Sequence, residues 1–289
     1  MQAHKPAVLA LLMAATSLSA QQSPKLRIEQ YVADSTAFDV NAVLILGPTE
    51  AFLIDGQYHL ADAQRVAQAI AASGKKLKGI FLTHPDHDHY AGTAAIVERF
   101  PGTPVYMTSA ALAEFQKTAQ RDFQGEKSRR PTILPDSLVT PRELPSNSFT
   151  IDGEKIEIIP DLQGDVLAPV NSIVWIPSIR TVITGDVVFN GVHPWLAVST
   201  PAARQAWRQS LKRIRDLKPL TVIAGHKPSA SASDDPAIID AMDQYLADFD
   251  ATRASSADVP AMVATMRGKY PSWVVGGLLR YSAAQTFKQ

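Results

Sequence analysis

Cysteine is absent from this chain of 289 residues. Its absence excludes disulfide bridges, thiolate metal ligands, cysteine nucleophiles and a lipidated cysteine anchor. A chain of this length can bury a core that is stable without such cross-links. Any chemistry of the chain must therefore come from histidine, carboxylates, hydroxyl groups or lysine.

A net charge is also absent, because Lys+Arg and Asp+Glu number 28 each. Nucleic-acid binding needs a basic stripe, which this balance does not indicate. The composition predicts no attraction to an acidic lipid surface either. With 46% apolar residues the chain has the composition of a globular protein. We therefore expect a small-molecule partner, no nucleic acid and no membrane anchor, while the oligomeric state is left open.

The sequence lacks a long hydrophobic run at its N-terminus. Residues 7–15 form an apolar run of nine residues, which is too short to span a bilayer. Lys5 precedes the run, small residues follow it up to Ala20, and polar residues come next, as in a secretory signal peptide. We predict a signal peptide over residues 1–20, export to a periplasm or the medium, and a single domain over residues 21–289. The alternative is a buried or amphipathic N-terminal helix.

Several catalytic motifs are missing as well. The serines do not stand in a G-x-S-x-G setting, so a serine hydrolase has little support. Neither G-x-G-x-x-G nor a P-loop is present, so a nucleotide cofactor is not implied.

Strand-like and helical segments alternate along the chain. Short apolar runs bounded by turn residues predict strands and hairpins, and segments with helical spacing predict helices. Such alternation is typical of a layered α/β architecture. The predicted strands comprise residues 41–46, 51–55, 79–83, 104–107, 149–159 (a hairpin), 172–176, 181–184 and 221–224, the predicted helices comprise residues 61–72, 93–100, 109–123, 201–217, 236–249 and 259–267, and residues 121–145 are predicted to form a long loop.

A dense cluster of histidine and aspartate follows the apolar strand over residues 79–83. Histidine offers neutral nitrogen and aspartate offers hard oxygen, so five such side chains on one tight loop indicate a metal site. A polar surface loop is the alternative, but it does not explain why three later strands end in the same residue types, each directly after glycine. The loop residues are His84, Asp86, His87, Asp88 and His89, and the later strand ends carry Asp165, Asp186 and His226.

Over residues 42–226 this order of motifs resembles the metallo-β-lactamase superfamily. The loop of that family reads His-x-His-x-Asp-His, whereas this chain has Asp86 at the second histidine position. The mid-chain histidine of the family is matched here by Asp165. The resemblance implies an α/β fold, a four-layer αββα sandwich of two mixed sheets flanked by helices.

Carried over residue by residue, the resemblance implies two metal ions. The four aspartates in the set would balance two divalent cations. The carboxylate-rich first site is harder than a three-histidine site, so we expect Zn²⁺ with Mn²⁺ or Fe²⁺ as alternatives. The first ion would take His84, Asp86 and Asp165, the second would take Asp88, His89 and His226, and Asp186 would bridge both.

Further residues are expected around the ligands. His87 is placed outside the ligand set, with replacement of a missing nitrogen ligand as the alternative. Asp55 is either an acceptor for a ligand histidine or a turn-forming Asp-Gly residue. His193 is expected to contact substrate or donate to an oxyanion, and Trp195 to line an apolar wall, although both also fit a packed loop. Tyr90 is expected in the pocket, with the core as the alternative.

The function that the resemblance implies is metal-dependent hydrolysis, with Asp88 orienting the nucleophile. Because export favours environmental small molecules, we expect an ester, lactone or amide (β-lactam) bond as the target. The changes to Asp86 and Asp165 weaken the β-lactam option. The alternative from another class is a catalytically silent binding or sensing protein on the same scaffold, and a redox-active iron member is a weaker one.

Overall fold

The computed structural model describes Met1 and residues 26–288. Apart from Met1, the predicted signal peptide lies outside these residues. Among the helices of the described part, none is both long enough and apolar enough to span a bilayer.

Six strands form the first sheet, and they lie side by side in chain order. They are β1 (Arg27–Val32), β2 (Asn41–Leu46), β3 (Glu50–Ile54), β4 (Lys76–Phe81), β5 (Val105–Met107) and β6 (Arg142–Glu143). Neighbouring strands are antiparallel from β1 to β3 and parallel from β3 to β6. The pair β2 and β3 confirms the hairpin predicted from its two apolar runs.

Five strands form the second sheet, again in chain order. They are β7 (Ser148–Ile151), β8 (Glu154–Leu162), β9 (Asn171–Ile176), β10 (Thr181–Ile183) and β11 (Thr221–Ile223). Neighbours are antiparallel from β7 to β10, and β10 and β11 are parallel. Both sheets are therefore mixed.

The two sheets pack face to face through an apolar layer. Ile45 and Phe81 of the first sheet belong to one buried cluster with Val174 and Ile183 of the second. Burial of one such side chain contributes about 1.5–3 kcal/mol. This layer holds the sheets together and so sets the positions of the loops at their strand ends.

Helices cover the outer face of each sheet. Ile70 and Phe115 pack in the cluster that includes Leu53 of the first sheet, and Trp207 and Leu246 pack in the cluster on the second. The arrangement is the four-layer αββα sandwich that was expected. The helices over the first sheet are α1 (Leu60–Ser73), α2 (His87–Tyr90), α3 (Thr93–Arg99) and α4 (Ser109–Arg129), and those over the second are α5 (Pro201–Asp216), α6 (Ala237–Ser255), α7 (Val259–Lys269) and α8 (Gly276–Thr286).

Five elements differ from the prediction. The loop predicted over residues 121–145 is wrong in its first part, because α4 continues to Arg129. There Phe123 is buried, and Glu126 pairs with Arg129 and Arg130 at helical spacing, which stabilises the extra turns. Strands β1 and β6 and helices α2 and α8 had no counterpart in the prediction.

Candidate metal centre

The predicted ligand residues come together between the two sheets. Each follows the end of a strand, so the close packing of the sheets brings the strand-end loops to one place. His84, Asp86, Asp88 and His89 follow β4 in the first sheet, and Asp165, Asp186 and His226 follow β8, β10 and β11 in the second.

A short helix orients the ligands of the first sheet. Asp86 precedes α2 in an extended conformation, and its Oδ1 accepts a hydrogen bond from the backbone N–H of His87 at 2.7 Å. This contact satisfies one of the backbone N–H groups that have no partner within the helix. The helical turn then places the side chains of Asp88 and His89 in the interior, where they are 6% and 0% exposed.

Three histidines use Nδ1 for contacts with the protein around the site. His89 Nδ1 donates to Asp55 Oδ2 at 2.9 Å, and His226 Nδ1 donates to the backbone oxygen of Phe38 at 2.7 Å. His84 Nδ1 lies 3.0 Å from the hydroxyl of Thr83. Such contacts fix the ring and leave Nε2 available, as in histidines that bind metal.

The Nε2 atoms face the carboxylates that follow strands of the second sheet. His89 Nε2 lies 3.0 Å from Asp186 Oδ1, and His226 Nε2 lies 3.1 Å from Asp186 Oδ2. His84 Nε2 lies 3.8 Å from Asp165 Oδ1. Three groups of potential ligand atoms lie within 4.8 Å of one another, and they consist of His84, Asp86 and Asp165, of Asp88, His89 and His226, and of His84, His89 and Asp186.

Buried polar atoms without partners test whether these residues fit a cation. His84 Nε2 and both carboxylate oxygens of Asp165 are buried, and none of them has a hydrogen-bond partner. Leaving such groups unpaired in the interior is costly. A divalent cation takes imidazole nitrogen and carboxylate oxygen together, so the donor set fits the expected metal.

The electrostatics of the site favour the same conclusion. Burial raises the pKa of Asp165 well above its ordinary value, and the carboxylates of Asp186 and Asp86 raise it further. Burial also raises the pKa of Asp186, but the imidazoles of His226 and His89 outweigh it and hold this pKa well below its ordinary value. Carboxylates crowded in this way repel one another unless positive charge lies between them.

Asp55 fulfils both of the roles that the sequence left open. It accepts the hydrogen bond from His89, and it also occupies a left-handed turn conformation with φ +63°.

The glycine before His226, Gly225, allows two loops that carry candidate ligands to pack closely together. A Cβ at Gly225 would overlap Asp186 Oδ1 and would lie 2.5 Å from the backbone oxygen of Gly185. The lack of a side chain at Gly225 therefore lets the Asp186 loop pack against it.

His87 lies on the wall of the site. Its Nδ1 donates to Asp86 Oδ1 at 2.8 Å, and the edge of its ring meets Tyr58 with 5.0 Å between ring centroids. Burial lowers the pKa of His87, but the contact with Asp86 outweighs it and raises this pKa to about 9. Its atoms also lie close to those of Asp86 and Asp88 in a fourth possible ligand group.

A cavity of about 240 Å³ opens beside the ligands. Its lining combines candidate ligand residues and His87 with apolar side chains. Trp195 is among the apolar side chains, as the sequence predicted. The apolar wall consists of Phe38, Phe189, Trp195 and Leu278.

The structure contradicts the catalytic position expected for His193. This side chain is 1% exposed and does not line the cavity. Its Nδ1 lies 2.8 Å from the hydroxyl of Tyr245, and its ring packs near Trp273. The backbone of Val274 pairs with Gly191 and His193, which draws the loop into the core.

The structure also places Tyr90 in the core rather than in the pocket. Tyr90 is 2% exposed and packs edge-on against Phe115 of α4 with 4.9 Å between ring centroids. Residue 90 faces α4 because it ends the short helix α2, whose opposite side carries the ligands.

Two cavity residues, Phe38 and Leu278, had no signal in the sequence. Phe38 adopts φ +60° in the turn before β2, and its ring lines the cavity while its carbonyl holds His226. Leu278 comes from α8, which the apolar pattern did not predict. Phe189 could have been predicted, because it follows Asp186, at the end of a strand, by three residues.

Comparison with solved structures supports the fold. A metallo-beta-lactamase family protein from Thermus thermophilus matches with a TM-score of 0.63 and 18% identity, over 92% of this chain and 91% of that chain. A metallo-beta-lactamase from Pontibacter korlensis matches with a TM-score of 0.54 and 18% identity, over 78% of this chain and 96% of that chain. At such identities the likeness concerns the fold alone.

A family model matches the part of the sequence that contains the site. The profile of the Metallo-beta-lactamase superfamily matches residues 35–226. This span includes both sheets except β1, and it ends at the last predicted ligand, His226. The chain belongs to the metallo-beta-lactamase superfamily.

Proposed function

We propose that this protein is an exported metal-dependent hydrolase that cleaves an ester, lactone or amide bond of a small molecule. One observation carries the proposal. Buried atoms without partners, at His84 and Asp165, belong to groups of candidate metal ligands beside a cavity that apolar side chains also line.

The ligand groups divide naturally between two divalent ions. Two of the observed groups coincide with the sets expected from the sequence, and Asp186 reaches His89 and His226 with different oxygens. Zn²⁺ suits the imidazoles, and Mn²⁺ or Fe²⁺ suits the carboxylates. Bound ions of this kind supply a water nucleophile at neutral pH and polarise a carbonyl oxygen.

Asp88 is the residue that we assign to proton handling. Its side chain lines the cavity, and its Oδ2 lies 3.5 Å from His226 Nε2. A carboxylate at this position can orient the attacking water and accept its proton. This assignment agrees with the role expected for Asp88, which is to orient the nucleophile. It gives His193 no contact with substrate or oxyanion.

The apolar wall selects the kind of substrate. Trp195 lines the cavity together with the candidate ligands, and Phe189 stacks on the ring of His226 with 4.7 Å between ring centroids. An apolar group beside the scissile bond would pack against these two rings while its carbonyl faces the ligands. A cavity of about 240 Å³ fits a small acyl or ring group.

Metal-dependent turnover tests the proposal. The purified protein is stripped with a chelator, supplied with Zn²⁺, Mn²⁺ or Fe²⁺ in turn, and assayed on ester, lactone, β-lactam and phosphodiester substrates. We expect at least one carboxyl derivative to be hydrolysed only when metal is restored. If the gently purified protein holds none of these metals and hydrolyses no substrate, the hydrolase proposal is wrong. The alternative, a catalytically silent binding or sensing protein, then takes its place.

Export is a separate part of the proposal and has its own test. Antibodies against the protein should detect it, shortened at its N-terminus, in the periplasm or medium of its host. Detection of the full-length chain only in the cytoplasm would contradict export.

A further inference from the structure

The cavity at the metal centre continues into a larger groove. Phe38 and Leu278 line both spaces, and the groove has a volume of about 1200 Å³. Residues 30–35 form one side of the groove, and residues 228–230 and the start of α8 form other parts of its wall. A substrate too long for the cavity would extend past Phe38 and Leu278 into this groove.

The groove carries excess negative charge. Its described lining includes the carboxylates of Asp34, Asp39 and Asp62 but only one basic side chain, Arg65. Arg65 is already paired with Asp62. Neither Asp34 nor Asp39 has an ion-pair partner among the described residues, so the wall disfavours an anionic group and favours a cationic one.

Asp39 provides an observation independent of this charge count. It is 5% exposed, and its Oδ2 is buried without a hydrogen-bond partner. Its neighbour Asp34 already accepts hydrogen bonds from the backbone and hydroxyl of Thr36. A buried carboxylate oxygen without a donor is costly, and a donor from a ligand would satisfy it.

Asp39 lies next to the part of the wall that the groove shares with the cavity at the metal centre. Asp39 directly follows Phe38, whose side chain forms part of the wall shared by cavity and groove. A group bound at Asp39 therefore belongs to a molecule that can reach the ligands at its other end.

We propose that the groove is the distal part of the substrate site and that Asp39 binds an ammonium or guanidinium group of the substrate. This inference rests on the proposed hydrolase function and narrows its substrate class to small molecules with a cationic tail. Carboxylate- or phosphate-tailed substrates are correspondingly disfavoured.

Matched esters test the assignment in the metal-loaded enzyme. The probes are the 4-nitrophenyl esters of 6-aminohexanoic acid, heptanoic acid and adipic acid, which differ in their tails. We expect the lowest KM for the amino ester and the highest for the adipate. In Asp39→Asn the preference for the amino ester over the neutral ester should fall about tenfold, as expected for one charge-assisted hydrogen bond.

Asp161→Asn is the matched control. Asp161 has nearly the same backbone conformation, with φ +58° against +57° for Asp39, but it is exposed and outside the groove. Asparagine tolerates this left-handed conformation. The control should leave all three KM values unchanged.

Binding to the metal-free protein separates this inference from the proposed function. Hexylammonium is titrated into metal-free wild type and Asp39→Asn, and binding is followed by NMR chemical shifts. We expect binding that weakens about tenfold in Asp39→Asn, even if no ester is hydrolysed. Unchanged hexylammonium binding in Asp39→Asn, equal KM values for amino and adipate esters, or Asp39-dependent binding of Ca²⁺ but not of hexylammonium would each overturn the assignment.

Discussion

The imidazole of His89 is held by the carboxylate of Asp55, with 2.9 Å between Nδ1 and Oδ2. The same carboxylate accepts a hydrogen bond from the backbone N–H of Thr83 at 2.8 Å and contacts its hydroxyl. Asp55 therefore connects Thr83, at the start of the loop, with the imidazole of His89 at its end. Both contacts are buried, so they set the direction of His89 Nε2 towards Asp186.

We expect Asp55→Asn to weaken metal binding about tenfold to a hundredfold while the fold is kept. Asparagine tolerates the conformation at φ +63° and can still accept from Thr83, but it lacks the charge that favours the Nδ1–H form of His89. Competition with a chromophoric chelator measures the affinity, with Asp161→Asn as the control. Equal affinity in Asp55→Asn and wild type would show that His89 needs no such support.

We expect Asp165→Asn to stabilise the metal-free protein by about 1–3 kcal/mol. The substitution removes a buried carboxylate whose oxygens have no partner and whose neighbours include other carboxylates. Added Zn²⁺ should then raise the melting temperature less in the variant than in wild type, because a ligand is lost. Thermal unfolding with chelator and with Zn²⁺ gives both values, and a lower melting temperature in chelator would contradict the prediction.

Replacing a central ligand should abolish hydrolysis and leave the fold largely intact. Asp186→Ala removes the carboxylate that contacts His89 and His226, and His89→Ala removes an imidazole of the same site. His59→Ala is the control, since His59 lies at the N-terminus of α1, makes no capping hydrogen bond with its side chain and belongs to none of the ligand groups. Circular dichroism and turnover on the best substrate are compared, and full turnover in either ligand variant would refute the site assignment.

We expect the aromatic side chain of Trp195 in the cavity wall to determine KM for apolar esters. Trp195 lines the cavity and stacks on Tyr281 of α8, with 5.1 Å between ring centroids and 12° between ring planes. We expect Trp195→Ala to raise KM for an apolar ester roughly tenfold, and Tyr281→Ala to raise it by about threefold. Because Tyr281 acts through Trp195, the double variant should resemble Trp195→Ala alone. Strictly additive effects would mean that Tyr281 contacts the substrate itself.

His193 should make the protein sensitive to acid. Burial lowers the pKa of His193 to about 4, below the value of about 6.5 in the unfolded chain. The unfolded state therefore takes up the proton first, and stability is lost as pH falls from about 6.5 towards 4. At pH 5 the loss from this group is about 2 kcal/mol.

The variant His193→Gln isolates this contribution. It should be less stable than wild type at pH 7, because the packing and the contact with Tyr245 are disturbed. Between pH 7 and pH 5, however, its stability should fall by about 2 kcal/mol less than that of wild type. Urea unfolding at both pH values, in chelator, gives the two differences, and parallel losses would place His193 in a solvated environment.

The convergence of the candidate ligand residues was predictable because the chemistry and the strand pattern coincide in the sequence. His84 and Asp186 each follow a short apolar run, and packed sheets bring such strand ends together. The identity of the residues then limits what they can do, since buried charged groups are either paired with one another or bound to a metal.

The rest of the site depends on contacts between distant segments. Phe38 reaches the cavity because its carbonyl is bound by His226, which lies far along the chain. His193 lies away from the cavity because the segment at Val274 pairs with its loop. Neither relationship leaves a local pattern of spacing or composition, so residue type alone suggested a catalytic histidine where the fold has a core residue.

Three of the four possible ligand groups combine residues from both sheets, and this bears on the order of events after synthesis. His84 and Asp165 are separated by the whole crossover from one sheet to the other, and His89 and His226 by still more of the chain. An ion therefore finds its full set of ligands only after the apolar layer between the sheets has closed. We therefore expect metal uptake to follow folding, and a bound ion would then cross-link two sheets that no disulfide joins.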